Sequence, residues 1–399
     1  MKKGTLWISL IIVFLFSLIP VIALATPEDN GNWYEEIEKI IMDQMDSLNT
    51  QDWQPYLKYV EQEESQILAG ESAKEIIRNL ITGQFSFTWQ DFINYIVGVF
   101  FREFNLNLTL MAKIIVIALI CSVFKNMNDS FKDSSVGEIG YYVCYAIIII
   151  LIIQSFLPIL AVGKTGIERM SGFMQLLFPI LLGLLTAMGN FTSASILQPA
   201  IGVLIGTVGS VLTNVVFPLI SLSAVVTLVN QISERVQIQK LGKLLNNLCT
   251  WTLAFLFTIF IGVLTIQGAM TSTFDGISIR TAKFAIGTFV PIVGKMLSES
   301  VDLIIGCSLL LKNAVGVAGL IILALLSLAP AIKIFSLLFL YRLVSALLEP
   351  ITDNRITECL SGIAKVLSVL LITVLGIALM FFLTVTIMIG TGNTSMMLR

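Results

Sequence analysis

Residues 363–390 read IAKVLSVLLITVLGIALMFFLTVTIMIG, a stretch that carries one charged side chain, Lys365, and no proline. A helix rises about 1.5 Å per residue and the bilayer core is about 30 Å thick, so roughly 20 apolar residues cross it. This stretch therefore reads as a transmembrane helix, and the rest of the chain agrees with it. Of 399 residues, 56% are apolar and 13% charged, with a mean hydropathy of +0.91, whereas soluble chains carry about 25% charged residues. Too little polar surface remains to coat a water-soluble body of this size.

Length and punctuation divide the remainder into candidate spans at 105–124, 141–162, 172–189, 196–217, 218–232, 245–270, 284–297, 302–329, 330–348 and 363–390. Three of them, 218–232, 284–297 and 330–348, are short enough to be tilted, broken or re-entrant, which protein-lined backbone at depth permits. The expected fold class is an all-α membrane protein with a polytopic bundle of eight to ten segments. With an extracytoplasmic start, ten crossings put Arg235, Lys240, Lys243, Arg355 and Lys365 inside, as the positive-inside rule asks, and the C-terminus outside.

The N-terminus reads as an address. Lys2 and Lys3 precede an apolar run over 6–24, and Ala23-Leu24-Ala25 meets Thr26-Pro27-Glu28-Asp29, which are the three parts of a cleavable secretory signal. Residues 1–25 are expected to be that signal peptide; the alternative is an uncleaved first helix, since the run is long enough to span. Residues 26–104 then form a small acidic helical domain outside the cytoplasm. From 26 to 108 the chain has fifteen acids and five bases, net −10, against 17 bases and 11 acids in the following 291 residues.

Within that domain Trp33, Ile37, Ile40, Ile41, Met45 and Leu48 form one apolar stripe after Asn30, a cap candidate. Ser72-Ala73-Lys74-Glu75 is a capping box and Gly83 supplies the stop. A third helix from Thr88 carries Trp89, Phe92, Ile93, Ile96, Phe100 and Phe104 on an aromatic face. That face suits either an amphipathic helix on a bilayer or partner, or the core of a small helical domain. Its acidic surroundings argue against nucleic acid and anionic lipid as ligands.

Residues 105–162 hold the first two transmembrane helices, and the rest suggests two related halves, repeat one at 172–270 and repeat two at 284–390. Phe178-Pro179-Ile180-Leu181-Leu182-Gly183 echoes Phe289-Val290-Pro291-Ile292-Val293-Gly294, and Gln198-Pro199-Ala200-Ile201-Gly202-Val203 echoes Lys312-Asn313-Ala314-Val315-Gly316-Val317. Pro218 and Pro330 would each start the next segment of a half. Repeats of this kind build the cores of many transporters, with the pathway at the repeat interface; chance similarity between apolar strings is the other reading.

Few polar groups fall inside spans: Lys113, Gln154, Asn214, Gln267, Asp302, Lys312 and Arg342. Lys113 and Arg342 suit snorkelling. Asp302 and Lys312 flank a stretch with Gly306 and Cys307, and are candidates for an ion pair across a bend or for the lining of a pathway. Gly202 with Gly206, and Gly316 with Gly319, are candidates for close helix packing. The chain has no histidine, which removes Ser-His-Asp and Cys-His sites and imidazole ligation of zinc or haem. Cys121, Cys144, Cys249, Cys307 and Cys359 lie too far apart for a metal knuckle or dithiol motif. No phosphate-cradling loop occurs, so no catalytic, cofactor-binding or metal-binding residues are assigned and no cofactor is expected.

The order of signal, acidic ectodomain and apolar body, together with Phe289-Val290-Pro291-Ile292-Val293-Gly294, Val301-Asp302, the run from Gly306-Cys307-Ser308 to Lys312-Asn313-Ala314-Val315-Gly316-Val317, Tyr341-Arg342-Leu343 and Leu348-Glu349-Pro350-Ile351, resembles the stage III sporulation protein AE family of endospore-forming bacteria. The resemblance implies a multi-pass protein of the mother-cell membrane facing the engulfed forespore. It also implies membership of a secretion-like channel complex joining the two cells, with an ATPase, a ring and small membrane proteins as the other subunits. This chain would be a non-enzymatic channel or export-platform component needed for forespore development after engulfment. An autonomous secondary transporter of a small solute is the alternative that the repeat and the Asp302 and Lys312 pair favour.

Overall fold

The computed structural model describes residues 33–46, 48, 50–62, 72–85, 89–130, 135–232, 239–289 and 293–397, with side chains described for all but 33–38, 89, 127–130, 135–138, 231–232, 239, 269–289, 293–301 and 392–397. The signal peptide and Asn30 lie outside the described residues. Every regular element is helical, and no strand occurs among the described residues.

Three short helices come first: α1 (Trp33–Asp46), α2 (Gln54–Gln62) and α3 (Ala73–Ile81). Each is amphipathic, and the apolar faces bury Ile41 and Met45, then Leu57 and Val60, then Ile76, Ile77 and Leu80. The start of α3 is fixed by reciprocal capping: the Glu75 amide donates to Ser72 Oγ, and the Ser72 amide donates to Glu75 Oε2 at 2.6 Å. The Ser72 backbone amide first, and the Ser72 hydroxyl after it, hold the Glu75 carboxyl below its ordinary value. Beyond the last turn Gly83 takes φ 69°, a left-handed conformation that disfavours a Cβ, so the helix stops there.

Long helices follow: α4 (Trp89–Ser130), α5 (Ser135–Ala187), α6 (Phe191–Val211), α7 (Phe217–Ile232), α8 (Gln239–Phe289), α9 (Val293–Leu348) and α10 (Asn354–Met397), with a π turn at Leu212–Val216 joining α6 to α7. Among the described residues six helical runs are long and apolar enough to cross a membrane. The sequence parsing gives eight to ten segments, and several of those segments share one helix here. The segments 141–162 and 172–189 merge into α5, 196–217 and 218–232 join through the π turn, and 302–329 and 330–348 merge into α9. Prolines fail to stop these helices: Pro158, Pro179, Pro199 and Pro330 all lie inside helical runs. In an apolar bundle, neighbouring helices, hydroxyl side chains and local π adjustments accommodate the carbonyl that proline leaves unpaired. At Pro218 the device is visible, because the wider turn closes with the Phe217 amide donating to the Leu212 carbonyl.

The centre of the bundle is the α9–α10 pair, whose apolar windows are 83% and 78% buried, against 22% for α4 and for α8. Outward faces of α4 and α8 present Leu106, Val116, Trp251 and Phe255, as lipid-facing helices do. The aromatic face that begins α4 turns inward at Phe100 and Phe104, which pack against Phe335 and Phe339 of α9. It is one continuous helix with the first span, so the expected boundary at 104 falls within α4.

At one end of the bundle the end of α4 and the start of α5 meet the α9–α10 connection: Lys125 Nζ lies 2.8 Å from Asp353 Oδ1, Tyr141 Oη donates to Asp353 Oδ2 at 3.0 Å, and Ser122 Oγ donates to the Ile351 carbonyl at 2.8 Å. The end of α7 and the start of α8 lie at the same end, where Thr227 and Gly242 share a cleft with Glu358 and Gly362. The short helices sit far from it: α1 bonds to Ser308, forty residues before Leu348 on α9, or about 60 Å along the helix.

Candidate functional site

Where α1–α3 cover the bundle, α9 and α10 meet at one buried ammonium. Lys312 is 1% exposed, and its Nζ donates to the Ile389 carbonyl at 2.8 Å and to the Met388 carbonyl at 3.4 Å. A buried cation needs partners to offset the loss of water, and here backbone oxygens of α10 supply them. The lysine thus ties the middle of α9 to the far part of α10. One turn along α9, Ser308 is fully buried and exchanges hydrogen bonds with the side-chain amide of Gln44 on α1, at 3.0 and 3.2 Å. Gln44 therefore lies directly over the helical turn that carries Lys312.

A second set of contacts holds the short helices in place. Trp53, fully buried, and Tyr56 both meet the ring of Phe173 edge-on, with centroids 5.3 and 5.5 Å apart. The Arg169 guanidinium sits 3.3 Å over the Tyr59 ring. Gly172 makes the approach of Tyr56 possible, because a Cβ there would lie 2.6 Å from the tyrosine oxygen. Burial raises the Tyr56 phenol above its ordinary value, which keeps it neutral.

Asp302 and Lys312 are not brought together. They lie ten residues apart on the uninterrupted α9, about 15 Å along its axis; Asp302 is exposed while Lys312 is buried. The glycines divide. At Gly316 a Cβ would meet the Ile389 side chain at 2.5 Å, and at Gly319 the Leu177 side chain at 2.5 Å, so both sit at close helix contacts. Gly202 has only an ordinary contact with Phe178, and Gly206 faces open space. The tight approach on α6 falls instead at Gly209, where a Cβ would lie 2.9 Å from Ser171 Oγ of α5. Of the other polar groups, Lys113 and Arg342 are exposed, and Arg342 reaches Ser368 Oγ at 3.2 Å.

Sequence reasoning missed Tyr341 as a structural centre. It is fully buried, and its hydroxyl bonds Ser155 Oγ and, at 3.4 Å, the Ile152 carbonyl, linking α9 to α5. The residue stood in a quoted motif, but its partner lies 186 positions away. Asp353 was missed too. Burial pushes its carboxyl up, and the Lys125 and Tyr141 hydrogen bonds outweigh that, so the net shift is downward.

Chemically the arrangement clamps. It has a buried donor on carbonyls, a hydroxyl pair between helices and an aromatic seat for the short helices. Among the described residues no three Cys, Asp or Glu side chains converge as a metal site, and the five cysteines are unpaired.

No solved structure matches the chain. The stage III sporulation protein AE of Bacillus subtilis (strain 168) is 36% identical over 332 residues, covering 83% of each chain. The profile described as stage III sporulation protein AE matches residues 71–392, a range that takes in α3, all six apolar runs and the Lys312 clamp. With a family match over most of its length and a relative that similar, the chain belongs to the stage III sporulation protein AE family.

Proposed function

We propose that this protein is a non-enzymatic integral membrane subunit of the multiprotein channel that links mother cell and forespore during endospore formation. In this role it sits in the mother-cell membrane around the forespore, with 26–104 in the intermembrane space and the Lys243 and Lys365 end in the cytoplasm. The observation that carries the reading is the family match across the whole apolar body. The side assignment is supported by charge. With six crossings, 233–246 borders the third and fourth and 349–362 the fifth and sixth, so both fall on one side, opposite the acidic N-terminal portion.

The short helices provide the docking surface for the other subunits, and the packing of Trp53, Tyr56 and Tyr59 on α5 gives that surface a fixed position relative to the membrane helices. Removing 26–88, which stops short of α4, while keeping the signal is expected to leave the membrane body inserted and to abolish its co-purification with ring subunits. Unchanged assembly of the complex would refute the docking role. Solute uptake by the purified protein alone in liposomes would favour a secondary transporter instead.

A further inference from the structure

The cleft at the Asp353 end of the bundle brings charged and amide side chains together beside an apolar wall. It lies between the end of α7 and the starts of α8 and α10, and encloses about 200 Å³. Lys243 and Lys365 reach it from two different helices, and Asn230, Asn246 and Ser361 add hydrogen-bonding groups. Both lysines are exposed, and neither forms an ion pair among the described residues. Glu358 is the one carboxylate of the lining, so the cleft carries a net charge of +1 from two lysines and one glutamate. Two glycines shape it: a Cβ at Gly362 would lie 2.6 Å from Thr227 Cγ2, and one at Gly242 would lie 3.4 Å from Val226.

Position decides which anion fits. The cleft opens at the ends of the apolar helices α7, α8 and α10, and α8 exposes Leu244, Leu248, Trp251 and Phe255 at spacings of four, three and four, one lipid-facing stripe running away from the cleft. An anion held here has an apolar surface directly beneath it, suited to acyl chains and not to a soluble ligand. Lysine stems can lie along apolar surface while the ammonium stays at the polar boundary, and basic pockets between helices at such a boundary bind lipid head groups.

We propose that the cleft between α7, α8 and α10 binds the phosphate of an anionic phospholipid, with Lys243 and Lys365 as its charged ligands and Asn230 and Asn246 as hydrogen-bond donors. The Glu358 carboxylate opposes the phosphate and limits affinity, so the site retains a lipid without fixing it permanently.

The test uses the full chain in detergent, delipidated and then titrated with phosphatidylglycerol, with retention read by native mass spectrometry. Wild type is expected to retain phosphatidylglycerol over phosphatidylcholine. The K243Q/K365Q double variant should lose affinity by about tenfold or more, given the pull of each basic side chain on an anionic lipid, and E358Q should gain affinity. Equal retention of the two lipids, or an E358Q variant no tighter than wild type, would overturn the proposal even if the double variant failed to fold. Displacement of the lipid by millimolar glycerol phosphate, with lysine-dependent binding of glycerol phosphate alone, would assign the site to a soluble phosphate ester and overturn the lipid reading.

Discussion

The Lys125 ammonium stands 2.8 Å from an Asp353 carboxylate oxygen, and the Tyr141 hydroxyl donates to the other oxygen. Three connected pieces of chain, the end of α4, the start of α5 and the loop before α10, are thereby held on one carboxylate. Because the Asp353 carboxyl sits below its ordinary value of 3.8, the folded state binds the proton less readily than the unfolded state. The clamp's stabilisation is therefore complete above that ordinary value and is lost as pH falls through the lower folded value. Hydrogen exchange of 349–353, taken relative to the intrinsic rate at each pH, should be slow at neutral pH and rise below about pH 4. D353N should raise it at neutral pH and remove the acid dependence, with a stability change of about 0.2–1 kcal/mol because Lys125 is partly exposed. A flat profile in wild type would show that the clamp does not titrate.

Close helix contacts make a second expectation. Gly319 abuts Leu177 and Gly316 abuts Ile389, so that a Cβ at either would force that side chain to shift, whereas Gly206 faces open space. Leucine at 319 should overpack the α5–α9 contact and cost about 1–3 kcal/mol, lowering the thermal midpoint in detergent, while G206A should leave it unchanged. Equal behaviour of the two variants would contradict the packing described here.

Lys312 separates a clamp from a pathway group. If its work is to hold the Met388 and Ile389 carbonyls, an apolar residue of similar length should be accommodated, since a buried charge can be exchanged for good packing with little loss. K312M is expected to accumulate in the membrane near the wild-type level and to support sporulation. K312E, which sets a carboxylate against two carbonyl oxygens, should accumulate poorly. A well-folded K312M protein that blocks sporulation would show instead that the ammonium itself is needed.

Legibility in the sequence followed the range of the interaction. Ser72 and Glu75 declare α3 because a capping box is complete within four residues, and the apolar runs declare themselves by length alone. The partners of Lys312 stayed hidden because they are backbone carbonyls 76 and 77 positions away, which no residue type announces. Pro218 and Pro330 misled for another reason. Proline breaks an isolated helix, but the bundle around these two tolerates the lost hydrogen bond, at Pro218 through the π turn of Leu212–Val216. Gly202 and Gly206 matched a packing motif, yet the close approach is made by Gly209, since which glycine faces a neighbour depends on helix rotation that spacing alone leaves open.

The seat of the short helices yields the last expectation. Gln44 and Ser308 exchange hydrogen bonds across 264 positions of sequence, and Trp53 is fully buried against Phe173. Cysteines at 44 and 308, with a protease site engineered into 63–71, should report the contact in native membranes. After mild oxidation and cleavage the N-terminal fragment should remain attached, and reduction should release it. W53A removes the largest buried side chain of this seat, a change that costs about 3–5 kcal/mol in a packed core. It should therefore lower the yield of cross-link by loosening the α2 contact with α5. Release of the fragment under oxidising conditions in the otherwise wild-type chain would mean that the short helices do not rest on α9.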